Sequence, residues 1–240
     1  MTLTGGAILY LALFVAAAGA VSILIPLRFL GIRTRKRGLM VLGLGLLAFT
    51  LGVYLPVEET RVAAPRTRLD EFAPVYQFSE FHSILVSAPK DQVDAAIRTV
   101  RPEEIRFFKT LTLIRGIGTL APEGRPILES FTAKWFLLLA DDPGREIVFG
   151  RGADASGRRT LAAAEFKTSH PPPLIKIVMN FRIEDVDATH CSLTTETRVY
   201  AAGPRALRGF ATYWRMIYPG SAIIRRMWLR AIKRRAEASA

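Results

Sequence analysis

Two uncharged apolar stretches decide how the chain is organised: GGAILYLALFVAAAGAVSILIPL at residues 5–27 and LMVLGLGLLAFTLGVYLPV at residues 39–57. In the first stretch, ten residues from Ala7 to Ile25 are Leu, Ile, Val or Phe. At the usual transfer free energies, these residues favour insertion into a bilayer by about 3 to 6 kcal/mol. The second stretch is as apolar and has close to the roughly 20 residues that span a bilayer. Both stretches are predicted to be transmembrane helices, so that residues 1–57 form a membrane hairpin.

The orientation of this hairpin follows from the short link between its helices. No basic residue precedes the first stretch, whereas the link is strongly basic, with Arg28, Arg33, Arg35, Lys36 and Arg37. Short basic loops remain in the cytosol. The sequence therefore predicts a two-pass protein of the plasma (inner) membrane whose C-terminal part lies on the extracytoplasmic side. A cleaved signal peptide is the alternative, and it is disfavoured because the positive n-region and the short apolar h-region are missing.

Small residues offer a packing surface between the two predicted helices. Ala12, Ala16 and Ala20 recur every four residues, and Ala48 and Gly52 are their candidate counterparts on the second helix. Such spacing allows two helices to approach closely. An ordinary alanine-rich, lipid-facing surface is the other interpretation, and the sequence alone leaves both open.

Charge and length limit what the rest of the chain can be. The formal charge is +12, and subtracting the five basic residues of the link leaves +7 beyond Val57, where every acidic residue lies. A basic domain beside a membrane suits anionic headgroups, and the predicted outward location argues against nucleic acid as a partner. The lone Cys191 has no disulfide or metal partner. Residues 58–78 mix prolines and charges without an apolar period, which predicts a linker, and residues 79–240 are sufficient for one domain.

Periodicity within residues 79–240 predicts an α+β domain. The clearest pattern is the alternation of mainly apolar and polar residues at 175–184 and 191–200, which is typical of an antiparallel hairpin with one buried face. Pro219 and Gly220 interrupt the apolar stripe of the last helix and predict a kink there. Strands are predicted at 81–88, 136–139, 146–149, 175–184 and 191–200, and helices at about 91–100, 102–112, 127–134 and from 204 to the basic end.

Catalytic and metal-binding patterns are absent from the sequence. The three histidines, His82, His170 and His190, have no spacing that would place two ligands on one face. The chain has no nucleophile elbow and no phosphate-binding glycine loop. Glu196 and Arg198 lie on the strand face opposite Leu193 and Val199, which favours a surface ion pair over a catalytic pair. No cofactor and no metal are predicted.

The order of the predicted elements resembles that of the helix-grip fold of the SRPBCC superfamily, which includes START and Bet v 1-like proteins. The local similarity begins where the strand around Ile84 runs into Ser87, Ala88 and Pro89 and then a helix with Val93. More specifically, TTETRVY at 194–200, together with Tyr213, Trp214, Pro219, Gly220, Ser221, Ile224, Arg225 and Arg226, is similar to the C-terminal part of uncharacterised bacterial members. The resemblance implies a bacterial envelope protein with a cavity for an apolar ligand between the sheet and the long, kinked C-terminal helix.

The sequence thus predicts a two-pass membrane anchor followed by a helix-grip domain that binds an apolar small molecule or lipid. The bilayer is its expected partner. Two alternatives remain: a solidly packed module that docks another envelope protein, and an enzyme of the cyclase or dehydratase kind, which is disfavoured because no inward acid or histidine cluster is evident. The candidate pocket residues are Met179, Phe181, Thr195, Thr197, Tyr213, Trp214 and Ile217. The candidate headgroup contacts are Arg225, Arg226, Arg230, Lys233, Arg234 and Arg235.

Overall fold

The structure is a computed structural model that describes residues 3–105, 108, 110, 122–154, 161–167, 174–187 and 189–239. The chain divides into two compact units. The first comprises Met1–Glu58 and Leu207–Tyr218, and the second comprises Glu59–Ala206 and Pro219–Ala240. His170, which was considered above as a metal ligand, lies outside the described residues, and so does most of the helix predicted at 102–112. What is described there is a short 3-10 helix at Pro102–Glu104.

The N-terminal hairpin consists of helix α1 (Leu3–Leu24) and helix α2 (Arg35–Val53), joined through a 3-10 turn at Arg28–Leu30. The Thr34 side chain accepts a hydrogen bond from the backbone N–H of Arg37 and so caps the start of α2. Both helices are long and apolar enough to cross a membrane. Their existence and approximate bounds agree with the sequence prediction.

The two helices meet along a line of glycines. A Cβ atom added to Gly19 would lie 2.3 Å from the backbone nitrogen of Leu42, and one added to Gly45 would lie 2.4 Å from that of Ala16. Real Cβ atoms do not approach other atoms so closely, so only glycine fits at these positions. Of the predicted small-residue ladder, Ala12 and Ala16 are buried, whereas Ala20 is exposed and Gly19 occupies the contact.

A segment of the last helix completes this first unit. The guanidinium of Arg215 donates hydrogen bonds to the backbone carbonyls of Val53 and Leu55, at 3.1 and 2.8 Å. Val53 is the last residue of α2 and Leu55 lies just beyond it, where backbone carbonyls have no partner within the helix. In addition, the Tyr10 hydroxyl donates to the carbonyl of Met216. Residues 207–218, which the sequence assigned to the C-terminal domain, therefore pack within the same unit as the hairpin.

The second unit is built on an antiparallel sheet. The strands along the chain are β1 (Thr60–Arg61), β2 (Val75–Tyr76), β3 (Phe78–Val86), β4 (Leu137–Asp142), β5 (Glu146–Asp154), β6 (Leu174–Asp185) and β7 (Cys191–Ala202). The helices are α3 (Arg68–Phe72), α4 (Lys90–Thr99), α5 (Ile127–Lys134) and α6 (Pro204–Glu237). The five longer strands are ordered β3-β7-β6-β5-β4, while β1 and β2 form a separate pair. The α+β prediction is confirmed, as are the hairpin of β6 and β7 and the turn between β4 and β5, where Gly144 has a φ of 68°.

Helices cover one face of the sheet and form the larger core. Phe181 of β6 contacts Phe149 of β5, with ring centroids 6.3 Å apart, and Trp228 of α6, at 4.9 Å. Residues of α4 and α5 join the same cluster, among them Val93, Ile97 and Phe131. The C-terminal half of α6 is thereby fixed against the sheet.

The opposite face, which alternation predicted to be solvated, is also covered. Leu69 and Phe72 of α3 and Phe166 pack on it with Leu174 and Val178 of β6. As a result, Lys176 and Asn180, which were expected to face solvent, are buried.

The stretch 58–78 therefore differs from the linker expected from its composition. A capping box joins Thr67 and Asp70 at the start of α3. The buried carboxylate of Glu146 accepts hydrogen bonds from the backbone N–H groups of Arg68 and Leu69, at 2.9 and 3.1 Å. These contacts tie the segment to the sheet.

Helix α6 is continuous over 34 residues, with Pro219 in its interior. The predicted kink at Pro219 and Gly220 stays a prediction. Proline supplies no backbone N–H, so the carbonyl four residues earlier, that of Arg215, lacks its usual helical partner.

Candidate ligand-binding groove

Strand β3 carries two inward-facing polar side chains on the edge of the sheet. Its side chains alternate in burial, so that Phe78, Glu80, His82 and Val86 are buried, whereas Phe81 and its outward neighbours are exposed. Only 3% of Glu80 and 8% of His82 is exposed. An acid and a histidine thus face the interior next to each other.

Glu80 and His82 form a hydrogen-bonded pair. The His82 Nε2 atom lies 2.9 Å from Oε1 of Glu80. In the tautomer that donates to this carboxylate, the His82 proton is on Nε2 and Nδ1 is an acceptor. The other carboxylate oxygen, Oε2, is buried and has no hydrogen-bond partner among the described residues. The Nδ1 atom of His82 makes no hydrogen bond to the described residues either. This ring nitrogen is therefore available to a bound molecule.

A buried arginine from α6 reaches the same part of the sheet. In the β3–β7 pairing, Glu80 lies opposite Thr197 and His82 opposite Thr195. The guanidinium of Arg225 donates to the hydroxyls of Thr197 and Thr195, at 2.7 and 3.3 Å, and only 8% of this arginine is exposed. We refer to Glu80, His82, Thr195, Thr197 and Arg225 as the polar cluster.

A groove opens beside the polar cluster, between the edge strand β3 and helix α6. Its volume is about 500 Å³, within the range of small-molecule sites. His82 forms part of its wall, so the polar cluster reaches the groove through this side chain. The residues that line the groove are Phe81, His82, Ser83, Ile84, Arg226, Leu229 and Arg230.

The predicted pocket residues separate into three groups. Met179 and Phe181 are part of the packed core, and Thr195 and Thr197 belong to the polar cluster. Tyr213, Trp214 and Ile217 belong to the other compact unit, where Tyr213 is exposed, Trp214 is buried against Phe210 and Ile217 is half-buried. None of the seven lines the groove.

The predicted headgroup contacts are likewise not equivalent. Arg225 is buried in the polar cluster. Lys233 donates to the carbonyl of Leu85 at 2.8 Å. Arg234 and Arg235 donate to the backbone carbonyl and side-chain carboxylate of Glu104, at 2.8 and 2.7 Å.

Arg226 and Arg230 remain exposed and line the groove. Within the described part of the chain they make no hydrogen bond or ion pair. Of the six basic residues, these two are the ones that are free to bind an external anion.

Sequence reasoning missed Glu80 and His82, although a signal for them was present. The apolar alternation of Ile84 and Val86, extended backwards along β3, places His82 and Glu80 on the same inward face. Arg225 had no such signal, because a charged residue next to an apolar helical stripe is normally solvated.

Among the described residues, no group of three or more His, Cys, Asp or Glu could hold a metal ion.

The predicted ion pair of Arg198 and Glu196 is present, at 2.7 Å. Arg198 is buried, however, and also binds Asp70 at 2.6 Å. Burial tends to raise the pKa of Asp70, yet the hydrogen bonds from the Arg66 N–H and from Arg198 outweigh it, so this pKa is lowered. The network connects α3 to the sheet.

No protein-family model and no curated protein matches the sequence. Similar solved structures include a hypothetical protein from Helicobacter pylori, with 10% identity and a TM-score of 0.39 over 74% of this chain and 98% of that one. A conserved protein from Geobacillus kaustophilus has 11% identity and a TM-score of 0.37 over 68% and 97% of the two chains. An aromatase/cyclase from Streptomyces sp. R1128 has 16% identity and a TM-score of 0.29 over 68% and 98%. These similarities assign neither a family nor an activity to this chain.

Proposed function

We propose that this chain is a membrane-anchored binding protein for an apolar, lipid-like ligand, held in the groove between β3 and α6. The observation that carries the proposal is the groove itself, with apolar walls from Phe81, Ile84 and Leu229 and polar groups nearby. Ligand sites commonly combine apolar walls with a few polar groups that orient the ligand.

The surface of the hairpin supports its membrane anchorage. Large apolar side chains point away from the helix contact on both helices, including Leu11, Phe14, Leu44, Leu47 and Leu51. An apolar surface of this extent is unfavourable in water and favourable in lipid. The basic link between α1 and α2 supports a cytosolic position for the link, so that both ends of the chain lie outside the cytoplasm.

A packed interaction module is the second candidate, and the core supplies the observation in its favour. Phe131, Phe149, Phe181 and Trp228 contact one another through their rings at 4.9 to 6.3 Å. The space around Phe181, where the sequence placed a pocket, is thus filled by aromatic side chains. Binding in the groove does not require an internal cavity, so this packing leaves the first proposal intact.

Native mass spectrometry of the full chain, purified from membranes in non-ionic detergent, tests the proposal. We expect an apolar molecule to co-purify and to be recovered by solvent extraction. Ser83→Trp should reduce its occupancy by filling the groove, whereas Ser87→Trp, on an exposed position outside the lining, should not. A chain that carries no apolar molecule would favour the packed interaction module instead.

A further inference from the structure

The groove has one wall with uncompensated positive charge. Arg226 and Arg230 are four residues apart, so they lie on the same side of α6. Lys233, Arg234 and Arg235, one turn further on, are all committed to Leu85, Thr99, Glu104 or Glu237. The free cations, Arg226 and Arg230, therefore lie at the groove, whereas the neighbouring three bind other parts of the second unit.

The groove lining also contains polar and apolar groups besides these two arginines. His82, which is buried, presents an unpartnered Nδ1, and Ser83 adds a hydroxyl from the same strand. Phe81, Ile84 and Leu229 supply the apolar surface of the groove. A molecule that fits this arrangement has one acidic group and one apolar group.

We propose that the groove selects an acidic amphiphile, whose carboxylate or phosphate binds Arg226 and Arg230 while its apolar part lies along Phe81, Ile84 and Leu229. This inference rests on the proposed function and adds the chemical class of the ligand. Arginine guanidinium groups bind both carboxylates and phosphates through paired, charge-assisted hydrogen bonds. The Ser83 hydroxyl in the groove lining can donate a further hydrogen bond to the same acidic group.

Four probes separate the contributions of charge and chain. Dodecanoate and dodecyl phosphate carry the two acidic groups on the same alkyl chain, dodecanol carries the chain alone, and inorganic phosphate carries the charge alone. Binding to the full chain in non-ionic detergent is measured by native mass spectrometry, which counts ligands on the released protein. The variants are Arg226→Gln/Arg230→Gln and, as a control with the same charge change on the same helix, Arg205→Gln/Arg208→Gln.

We expect at least one of the acidic amphiphiles to bind about tenfold or more tightly than dodecanol, because charge-assisted hydrogen bonds are the strong ones. Arg226→Gln/Arg230→Gln should remove this preference and leave the weaker binding of dodecanol, while the control variant retains it. A preference for dodecyl phosphate or for dodecanoate identifies the acidic group.

Three outcomes would overturn the inference, and they differ in what they mean for the proposed function. Equal binding of dodecanol and both acids would refute the charge selection and leave an apolar site. Inorganic phosphate that binds as tightly as dodecyl phosphate would indicate a site for free anions. Binding of none of the four probes would refute the proposed function itself.

Discussion

Lys176 places an ammonium group inside the second unit. Only 6% of the residue is exposed, and its Nζ atom donates to the carbonyl of Phe166 at 3.0 Å. Loss of hydration lowers the pKa of Lys176 from 10.5 to about 8. The folded state therefore releases this proton at a lower pH than the unfolded state does.

This pKa gives a stability change of defined sign. Between about pH 8 and 10.5 the unfolded chain binds more protons at Lys176 than the folded chain, so the free energy of unfolding should rise with pH across this window. Lys176→Met should abolish its share of the rise and be more stable than the wild type at pH 7. Urea unfolding of the full chain in detergent at several pH values measures both effects.

Lys134→Met is the matched control, because Lys134 is exposed. It should follow the wild-type curve. If Lys176→Met also follows the wild-type curve, the ammonium group is not desolvated in the folded chain.

The second residue-scale prediction concerns Arg225, whose guanidinium joins α6 to β7. Arg225→Met should lower the free energy of unfolding by about 2 to 3 kcal/mol, since hydrogen bonds to charged groups contribute about 1.5 to 3 kcal/mol and the Thr197 hydroxyl loses its donor. The exposed Arg226→Met should change it by less than about 0.5 kcal/mol. Urea unfolding again provides the measurement.

A second substitution separates loss of hydrogen bonding from loss of packing. Thr197→Val added to Arg225→Met removes the unsatisfied hydroxyl, so part of the lost stability should return. Equal stabilities of Arg225→Met and Arg226→Met would contradict a structural role for the polar cluster.

At the scale of elements, the glycines of α2 set the distance between the two apolar helices. Gly45 faces Ala16, whereas a Cβ atom added to Gly43 would meet nothing within 4 Å. Gly45→Ala should therefore force the helices apart and lower the Tm of the full chain in detergent by about 3 to 10 °C, as expected for overpacking.

Gly43→Ala tests the same chemical change on the open side of the same helix. It should leave the Tm unchanged or raise it, because alanine favours a helix more than glycine does. Circular dichroism at 222 nm follows the melting. Equal changes at both positions would exclude close packing at Gly45.

Elements with long periodic patterns were predictable from the sequence, and the short ones were not. Strands β6 and β7 have twelve residues each, and the alternation at 175–184 and 191–200 is long enough to indicate strands. Helix α3 has five residues, fewer than two turns, and therefore shows no helical period. Its burial depends on Glu146, which is distant in sequence and whose contact with α3 no local pattern indicates.

The candidate site shows the same limit at the level of single residues. Thr195 and Thr197 were placed inward by alternation, and His82 was within reach of the same reasoning. The different roles of Arg225 and Arg226 were not predictable, because the two residues are of the same type and have nearly the same local sequence. Which of them turns towards Thr197 depends on the docking of α6 on the sheet.

At the scale of the whole molecule, the proposed membrane anchor predicts on which side of the membrane the second unit lies. The link between α1 and α2 holds five basic residues, and every acidic residue follows Val57. Short loops rich in arginine and lysine remain cytosolic, whereas long segments cross largely regardless of their charge. The basic character of the second unit therefore does not oppose an extracytoplasmic location.

Single cysteines test this topology in spheroplasts treated with a membrane-impermeant maleimide. Burial, followed by the nearby Asp185 carboxylate, raises the pKa of the native Cys191 thiol, which is 1% exposed, so the wild-type chain should remain unlabelled. Ala64→Cys, after α2, should react in intact spheroplasts, while Phe29→Cys in the link should react only after permeabilisation. The reverse pattern would place the folded unit in the cytosol, and reaction at both sites before permeabilisation would show that the hairpin does not span the membrane.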